Sequence, residues 1–124
     1  MTRPLAIVFY ERLLPGSQVV NRLADMGYRV QAMHVAAEVP HVVESCAPMV
    51  LVADLVLRSG DFSPIIARLK AADSTKHVPI LGYCDPKNAK VVEAAIASGA
   101  KLVAGEAGIL EQLPQLMEHV LALD

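Results

Sequence analysis

Short apolar runs alternate with amphipathic stretches along all 124 residues of the chain, and this alternation restricts the possible folds more than any other feature. Apolar runs of this length are typical of strands that are buried on both faces of a sheet, and the stretches between them are typical of helices that bury one side. The sequence therefore predicts strands and helices in turn. The predicted strands are residues 5–10, 28–33, 49–55, 78–84 and 101–105.

Proline, glycine and small polar residues mark where the predicted helices begin and end. Gly27 and Gly99 each follow an amphipathic stretch, which predicts that a helix ends there. Ser63-Pro64 and Asp85-Pro86 each place a capping side chain before a proline, which predicts a helix start. The other predictions are a cap at Ser17 for the first helix, a second helix over residues 39–47 and a last helix over residues 113–123, with Pro114 in its first turn.

Five strand–helix units in a row predict an α/β domain of three layers, in which a doubly wound parallel sheet lies between two layers of helices. The length suits a single domain over residues 1–124. In a sheet of this kind the working site lies beyond the carboxyl ends of the strands. The residues at and just after the predicted strand ends are Tyr10, Glu11, Asp54, Cys84, Asp85, Gly105 and Glu106.

Composition and charge argue against several classes of protein. A net charge of −2 and scattered Lys and Arg residues predict no nucleic-acid partner, which would require a basic face. The apolar runs are too short for a membrane span or a signal-peptide core, so we predict no membrane association and a cytoplasmic protein. The two cysteines lack CxxC spacing and nearby histidines, which predicts free thiols and no zinc site.

Three stretches, in order, resemble the receiver domain of two-component response regulators, the CheY-like family. Residues 48–54 (PMVLVAD) are similar to the proline-led strand that ends in the family's phosphoacceptor aspartate. Residues 77–81 (HVPIL) are similar to its fourth strand, and residues 97–100 (ASGA) to the turn before its fifth strand. The resemblance extends over the whole chain and implies a flavodoxin-like (βα)5 fold with strand order 2-1-3-4-5.

The resemblance also implies positions in a phosphorylation site. In receivers an acidic pair helps to hold a divalent cation, an aspartate accepts the phosphoryl group, a Ser or Thr bonds to it, and a Lys offsets its charge. Asp54 stands at the acceptor position. Tyr10 and Glu11 stand at the acidic pair, Cys84 at the Ser or Thr, and Glu106 at the Lys.

These replacements predict that phosphorylation does not control the protein. At about 4 Å and a dielectric constant of about 20, replacing Lys by Glu106 turns roughly 4 kcal/mol of attraction for a phosphoryl group into similar repulsion. Asp54 is then interpreted as an inherited carboxylate that caps nearby amides. We predict no cofactor. If Mg²⁺ or Ca²⁺ binds, its ligands are Glu11 and Asp54, with Glu106 as a third carboxylate unless that side chain points into solvent.

Three functions are compatible with the sequence. The first is an atypical, non-enzymatic receiver that acts as a protein-interaction module in signal transduction. The second is a working response-regulator receiver, phosphorylated at Asp54 in a phosphorelay, and the third is a small-molecule sensor that uses the pocket at the strand ends. For the first, the resemblance implies that a protein partner, or a second copy of the chain, binds the last two helices and the fifth strand. That face comprises Lys87, Lys90, Val91, Ala94, Leu102, Val103 and the outward side of residues 115–123.

Overall fold

The structure is a computed structural model that describes residues 3–58 and 60–122. The strands are β1 (Leu5–Phe9), β2 (Arg29–Met33), β3 (Val50–Asp54), β4 (Val56–Leu57), β5 (Gly60–Asp61), β6 (Ile80–Cys84) and β7 (Leu102–Gly105). The helices are α1 (Leu13–Asp25), α2 (Val39–Cys46), α3 (Ser63–Ala71), α4 (Ala89–Ser98) and α5 (Ile109–Leu121). None of these helices, in the part of the chain that is described, is long and apolar enough to cross a membrane.

The main sheet has five parallel strands in the order β2-β1-β3-β6-β7. Because β6 and β7 are its fourth and fifth strands along the chain, the predicted order 2-1-3-4-5 is confirmed. β3 lies at the centre, with Ala6 of β1 opposite Val50 and Ile80 of β6 opposite Leu51. Every residue of β3 is buried, as its apolar run predicts. The carboxyl ends of all these strands lie along one edge of the sheet.

Helices cover both faces of the sheet and complete the predicted three layers. Successive side chains of a strand point to opposite faces, and β3 shows the consequence. Leu51 and Ala53 pack in a cluster with side chains of α2, α3 and α4. Val50 and Val52 pack in a second cluster with α1 and α5. Both clusters are mainly aliphatic, and the doubly wound α/β prediction is confirmed.

Both glycines that were predicted to end helices do so. α1 ends at Asp25 and α4 at Ser98. Gly27 has a φ of +101° and Gly99 a φ of +121°, in the left-handed region where a Cβ is strained. The chain can therefore turn away from each helix at a position where only glycine fits without cost.

The predicted serine caps are wrong, although the helices they were assigned to exist. Ser17 lies inside α1. Ser63 is the first residue of α3, and Phe62 holds the cap position without a side-chain bond. The amide of Ser63 donates to Oδ1 of Asp61 at 2.8 Å, so an aspartate two residues earlier supplies the oxygen expected from the serine.

The fourth helix begins later than predicted. Oδ1 of Asp85 accepts the amide of Lys87 at 3.0 Å, which stabilises a turn, and the helix begins only at Ala89. Asp85-Pro86 therefore ends β6 with a turn and does not start a helix.

The last helix begins earlier than predicted and has Pro114 in its interior. Ile109, Leu113, Met117 and Val120 lie at helical spacing and are buried against the sheet. This burial outweighs the backbone hydrogen bond that a proline removes, so the first turn extends back to Ile109. Leu123, the last residue of the predicted helix, lies outside the described residues.

A small antiparallel hairpin directly after β3 was not predicted. It pairs Val56 of β4 with Asp61 of β5 and Leu57 with Gly60. Its strands are too short to show a hydrophobic period. The hairpin matters for the site because it places the backbone of Arg58 next to the loop that follows β1.

Gly82→Ala is expected to lower the free energy of unfolding by about 1–2 kcal/mol. A Cβ at Gly82 would lie between 2.7 and 2.9 Å from three side-chain carbons of Leu55, which is fully buried. Gly105→Ala is the matched control, because its Cβ would come no closer than 3.6 Å to Pro86. Urea denaturation measures both variants. Equal losses would show that overlap with Leu55 is not the cause.

Candidate functional site

The carboxylate of Asp54, at the end of β3, is fully buried and fully engaged. Its Oδ2 accepts a hydrogen bond from Nε of Arg12 at 2.8 Å, and its Oδ1 accepts one from Nη2 of the same guanidinium at 2.8 Å. Oδ1 also accepts the amide of Val56 at 3.1 Å. Two parallel bonds from one guanidinium are the strongest arrangement that an arginine makes with a carboxylate.

Arg12 also binds Glu106, so one cation joins two carboxylates. Nη2 of Arg12 lies 2.8 Å from Oε2 of Glu106. The side chain of Arg12 is 41% exposed, that of Glu106 24% and that of Asp54 0%. The hydrogen bond to Asp54 raises the pKa of Arg12 above its usual range, although burial opposes the shift. We call these three residues the Asp54 site.

The sheet order brings the three residues together. Arg12 follows β1, Asp54 ends β3 and Glu106 follows β7. The amide of Glu106 donates to the carbonyl of Cys84 at 2.9 Å, which extends the pairing of β7 with β6 by one residue and fixes where Glu106 emerges. The loop before α1 then brings the guanidinium to Asp54 across the carboxyl edge of the sheet.

The resemblance placed Tyr10 and Glu11 at the acidic pair. In the structure the side chains of both residues make contacts away from Asp54. The ring of Tyr10 is buried and meets the ring of His34 edge-on, with centroids 4.7 Å apart. Oε1 of Glu11 accepts the backbone amide of Arg58 at 2.8 Å. Glu11 therefore ties the β4–β5 hairpin to the loop after β1.

Cys84 is buried, and its side chain packs in the cluster between the sheet and helices α2 to α4. Val52, two residues before Asp54, packs in the cluster on the opposite face of the sheet. Burial, then the negative charges of Glu106 and Asp54, raises the pKa of the Cys84 thiol. A protonated, buried thiol is a poor nucleophile and a weak hydrogen-bond donor.

Tyr83 was not singled out from the sequence, although it pairs in register with Asp54. Its ring is fully buried, and among the described residues its hydroxyl has no hydrogen-bond partner. Burial, followed by the charge of Asp54, raises the pKa of Tyr83. The phenol is therefore neutral at physiological pH and adds no charge to the Asp54 site.

Glu106 converges with Asp54 and does not point freely into solvent. Arg12 lies between the two carboxylates at hydrogen-bond distance from both. The sequence did not single out Arg12, although a basic residue after one strand is a detectable signal when carboxylates follow or end other strands at the same edge of the sheet. The site thus has its own cation.

The residues of the Asp54 site do not fit a divalent metal ion. Both oxygens of Asp54 and one of Glu106 are bonded to Arg12, and one oxygen of Glu11 is bonded to Arg58. Within residues 3–58 and 60–122, no three His, Cys, Asp or Glu side chains are grouped so that they could hold a metal ion. A hard cation would have to displace a positively charged side chain from its ligands.

Native protein is expected to show one reactive thiol towards a thiol-specific disulfide reagent such as DTNB. Cys46 is exposed, whereas Cys84 is buried with a raised thiol pKa. Absorbance should report one fast equivalent, followed by a second only after denaturant is added. Cys46→Ser should lose the fast phase, and two fast equivalents in native protein would contradict the burial of Cys84.

No protein-family model and no curated protein matches the sequence, but solved structures match closely in fold. A protein of Chloroflexus aurantiacus J-10-fl described as a response regulator has a TM-score of 0.89 and 18% identity, over 98% of this chain and 100% of that one. The chemotaxis response regulator CheY4 of Vibrio cholerae has a TM-score of 0.84 and 17% identity, over 96% and 99% of the two chains.

A third match carries a metal ion. The receiver domain of a sensor histidine kinase from Pseudomonas aeruginosa PAO1 has a TM-score of 0.86 and 13% identity, over 97% of this chain and 98% of that one. That domain has a magnesium ion coordinated in its active-site cleft. At such identities the matches establish the fold, and the CheY-like receiver fold implied by the three sequence stretches is confirmed.

Proposed function

We propose that this chain is an atypical receiver-fold domain, a non-enzymatic protein-interaction module of signal transduction that works without phosphorylation of Asp54. One observation carries the proposal. Both carboxylate oxygens of the buried Asp54 are held by the guanidinium of Arg12, which also binds Glu106.

The chemistry of phosphoryl transfer explains why this arrangement is unfavourable for an acceptor. The acceptor needs a free carboxylate oxygen in line with the phosphorus, and nearby cations must offset the charge on the transferred group. Here an attacking oxygen would first have to leave Arg12. The anion Glu106 would then lie where the phosphoryl group needs a cation.

Magnesium is not required by this proposal. The receiver domain from Pseudomonas aeruginosa has that ion in its cleft, but here both oxygens of Asp54 bind Arg12 and one oxygen of Glu11 binds the amide of Arg58. The guanidinium supplies positive charge at Asp54 without a dissociable ion. We propose that the domain binds no metal there under physiological conditions.

The proposed partner surface consists of α4, β7 and α5. β7 is an edge strand of the sheet, with unpaired backbone groups on its outer side. A groove of about 290 Å³ runs between α4 and β7 and is lined in part by Pro86, Val92 and Val103. Ile96 of α4 is 56% exposed, and Lys87 and Lys90 are exposed nearby in sequence. A protein partner or a second copy of the chain would bind here.

The test uses beryllofluoride with Mg²⁺, which mimics a phosphorylated aspartate. The melting temperature of the wild-type protein is expected to be unchanged by the mixture, because Asp54 has no free oxygen. Arg12→Ala/Glu106→Lys is the matched comparison, since it frees Asp54 and restores a cation after β7. A shift in that variant alone supports the proposal. A wild-type shift that Asp54→Asn abolishes would identify a working receiver.

A further inference from the structure

A second cavity lies at the opposite end of the sheet from Asp54, where the loops enter β3, β6 and β7 next to the end of α5. Its volume is about 540 Å³, within the range of about 300–1,000 Å³ that is usual for small-molecule sites. We call it the amino-end cavity. The lining residues that matter here are Met49, Lys70, His77, Pro79, Lys101 and Leu121.

Part of the lining of the amino-end cavity is basic. Nζ of Lys70 donates to the carbonyls of Lys76 at 3.0 Å and Val78 at 2.8 Å, and Nζ of Lys101 donates to the carbonyl of Ala122. An ammonium group has three N–H donors, so these bonds leave one donor on Lys70 and two on Lys101 for a ligand. No Asp or Glu among the described residues lines the cavity.

The two lysines are held close to each other by the fold. The stem of Lys70 lies against Gly99, where an added Cβ would come within 2.5 Å of its Cγ, and Lys101 follows two residues later. Burial, then the positive charge of Lys101, lowers the pKa of Lys70. The carbonyls they bond to carry only partial charges, so a full negative charge between the lysines would be stabilised.

The rest of the lining is mainly apolar. Pro79 and Leu121 form part of its wall, and Met49 beside them is 49% exposed. Methionine adapts its shape to a bound apolar group at little cost. An anion alone would leave this wall in water, whereas an alkyl chain would cover it.

We propose that the amino-end cavity binds a small amphipathic carboxylate, with its head group between Lys70 and Lys101 and its alkyl chain against Met49 and Leu121. The site is separate from Asp54 and shares only the carboxyl end of α5 with the proposed partner surface. The site lies at the amino ends of the strands, whereas receivers are phosphorylated at the carboxyl ends.

The experiment titrates the full chain with decanoate, below the concentration at which decanoate forms micelles, and follows backbone amide and methionine methyl NMR signals. Changes are expected at Met49, Gly99, Lys101 and Ala122. Lys101→Gln keeps a donor for the Ala122 carbonyl but removes the charge, and should weaken binding about fivefold or more. Arg22→Gln, at an exposed cation of α1 outside the cavity, is the matched control and should bind like wild type.

Two ligand controls separate the head group from the chain. Decanamide lacks the charge and acetate lacks the chain, and both should bind much more weakly than decanoate. The proposal is overturned if Lys101→Gln binds decanoate as tightly as wild type, or if the shifted signals lie outside the cavity. In that case the lysines serve only to bond the carbonyls of Lys76, Val78 and Ala122.

Discussion

Arg12→Ala is expected to lower the free energy of unfolding by about 2–3 kcal/mol at neutral pH. The variant leaves the fully buried carboxylate of Asp54 with only the amide of Val56 as a hydrogen-bond donor. Removing one partner of a fully buried ion pair costs about 3–5 kcal/mol. The expected value is lower because the Arg12 side chain is 41% exposed, so water can reach part of the space it leaves.

A double-mutant cycle, measured by urea denaturation, separates this ion pair from other effects of the loop. Arg12→Ala/Asp54→Ala should be more stable than Arg12→Ala alone, because the unpaired buried charge is gone. Arg12→Lys should recover only part of the loss, since an ammonium cannot form the two parallel bonds. Arg58→Ala, an exposed arginine in the same region, should change stability by less than about 0.5 kcal/mol. Additive losses in the cycle would contradict the role given to Arg12.

The architecture was predictable because its signals are local. Each strand of the main sheet is marked by its own apolar run, and each run was located within two residues at either end. The order of the strands is not local, since it depends on which strands pair across the chain. It came from the resemblance of three stretches to receivers, and the sheet pairing agrees with it.

The helix starts were less predictable because two interactions compete at each of them. Asp85 offered a cap, but its carboxylate stabilises a turn with the amide of Lys87. Pro114 suggested a first turn, but the buried face from Ile109 to Val120 extends the helix before it. In both cases the tertiary packing or the turn chemistry outweighs the preference of a single residue.

The Asp54 site could be predicted in part. The positions of Asp54 and Glu106 at strand ends on one edge of the sheet followed from the strand pattern, and their convergence is observed through Arg12. Arg12 was missed because the resemblance directed attention to the residues that occupy family positions, and Arg12 occupies none. Two carboxylates at one edge of a sheet require a nearby cation or a proton, and this requirement points to Arg12 in the adjacent loop.

The charges around Asp54 are exchanged relative to the receiver pattern. The resemblance implies an acidic pair after the first strand and a cation after the last. In this chain the first loop supplies the cation Arg12, and the anion Glu106 follows β7. Glu106 without Arg12 would leave Asp54 beside a second anion. Arg12 and Glu106 together surround the Asp54 carboxylate with covalently attached charges that cannot dissociate. This arrangement supports the proposal that the domain works without phosphorylation.

The second large effect is expected at Gly16, which fixes the loop that carries Arg12. Gly16→Ala should destabilise the fold by about 2–3 kcal/mol. An added Cβ would lie 2.2 Å from Cγ of Tyr10 and 2.6 Å from both Cδ atoms. The Tyr10 ring is buried and packed against His34, so it cannot move aside cheaply. The gain in helix propensity of alanine over glycine, about 1 kcal/mol, offsets only part of this cost.

The test of this overlap is the same substitution made without the ring. Tyr10→Ala itself creates a cavity and lowers stability, but Gly16→Ala in the Tyr10→Ala background should cost nothing further or even stabilise α1. Chemical denaturation of the four proteins gives the coupling between the two positions. If Gly16→Ala is equally harmful with and without the Tyr10 ring, the close approach is not the reason for glycine there. If the coupling is found, Tyr10 contributes packing at a position where the resemblance implies an acidic ligand. Its contact with Gly16 then fixes the course of the chain from β1 to Arg12.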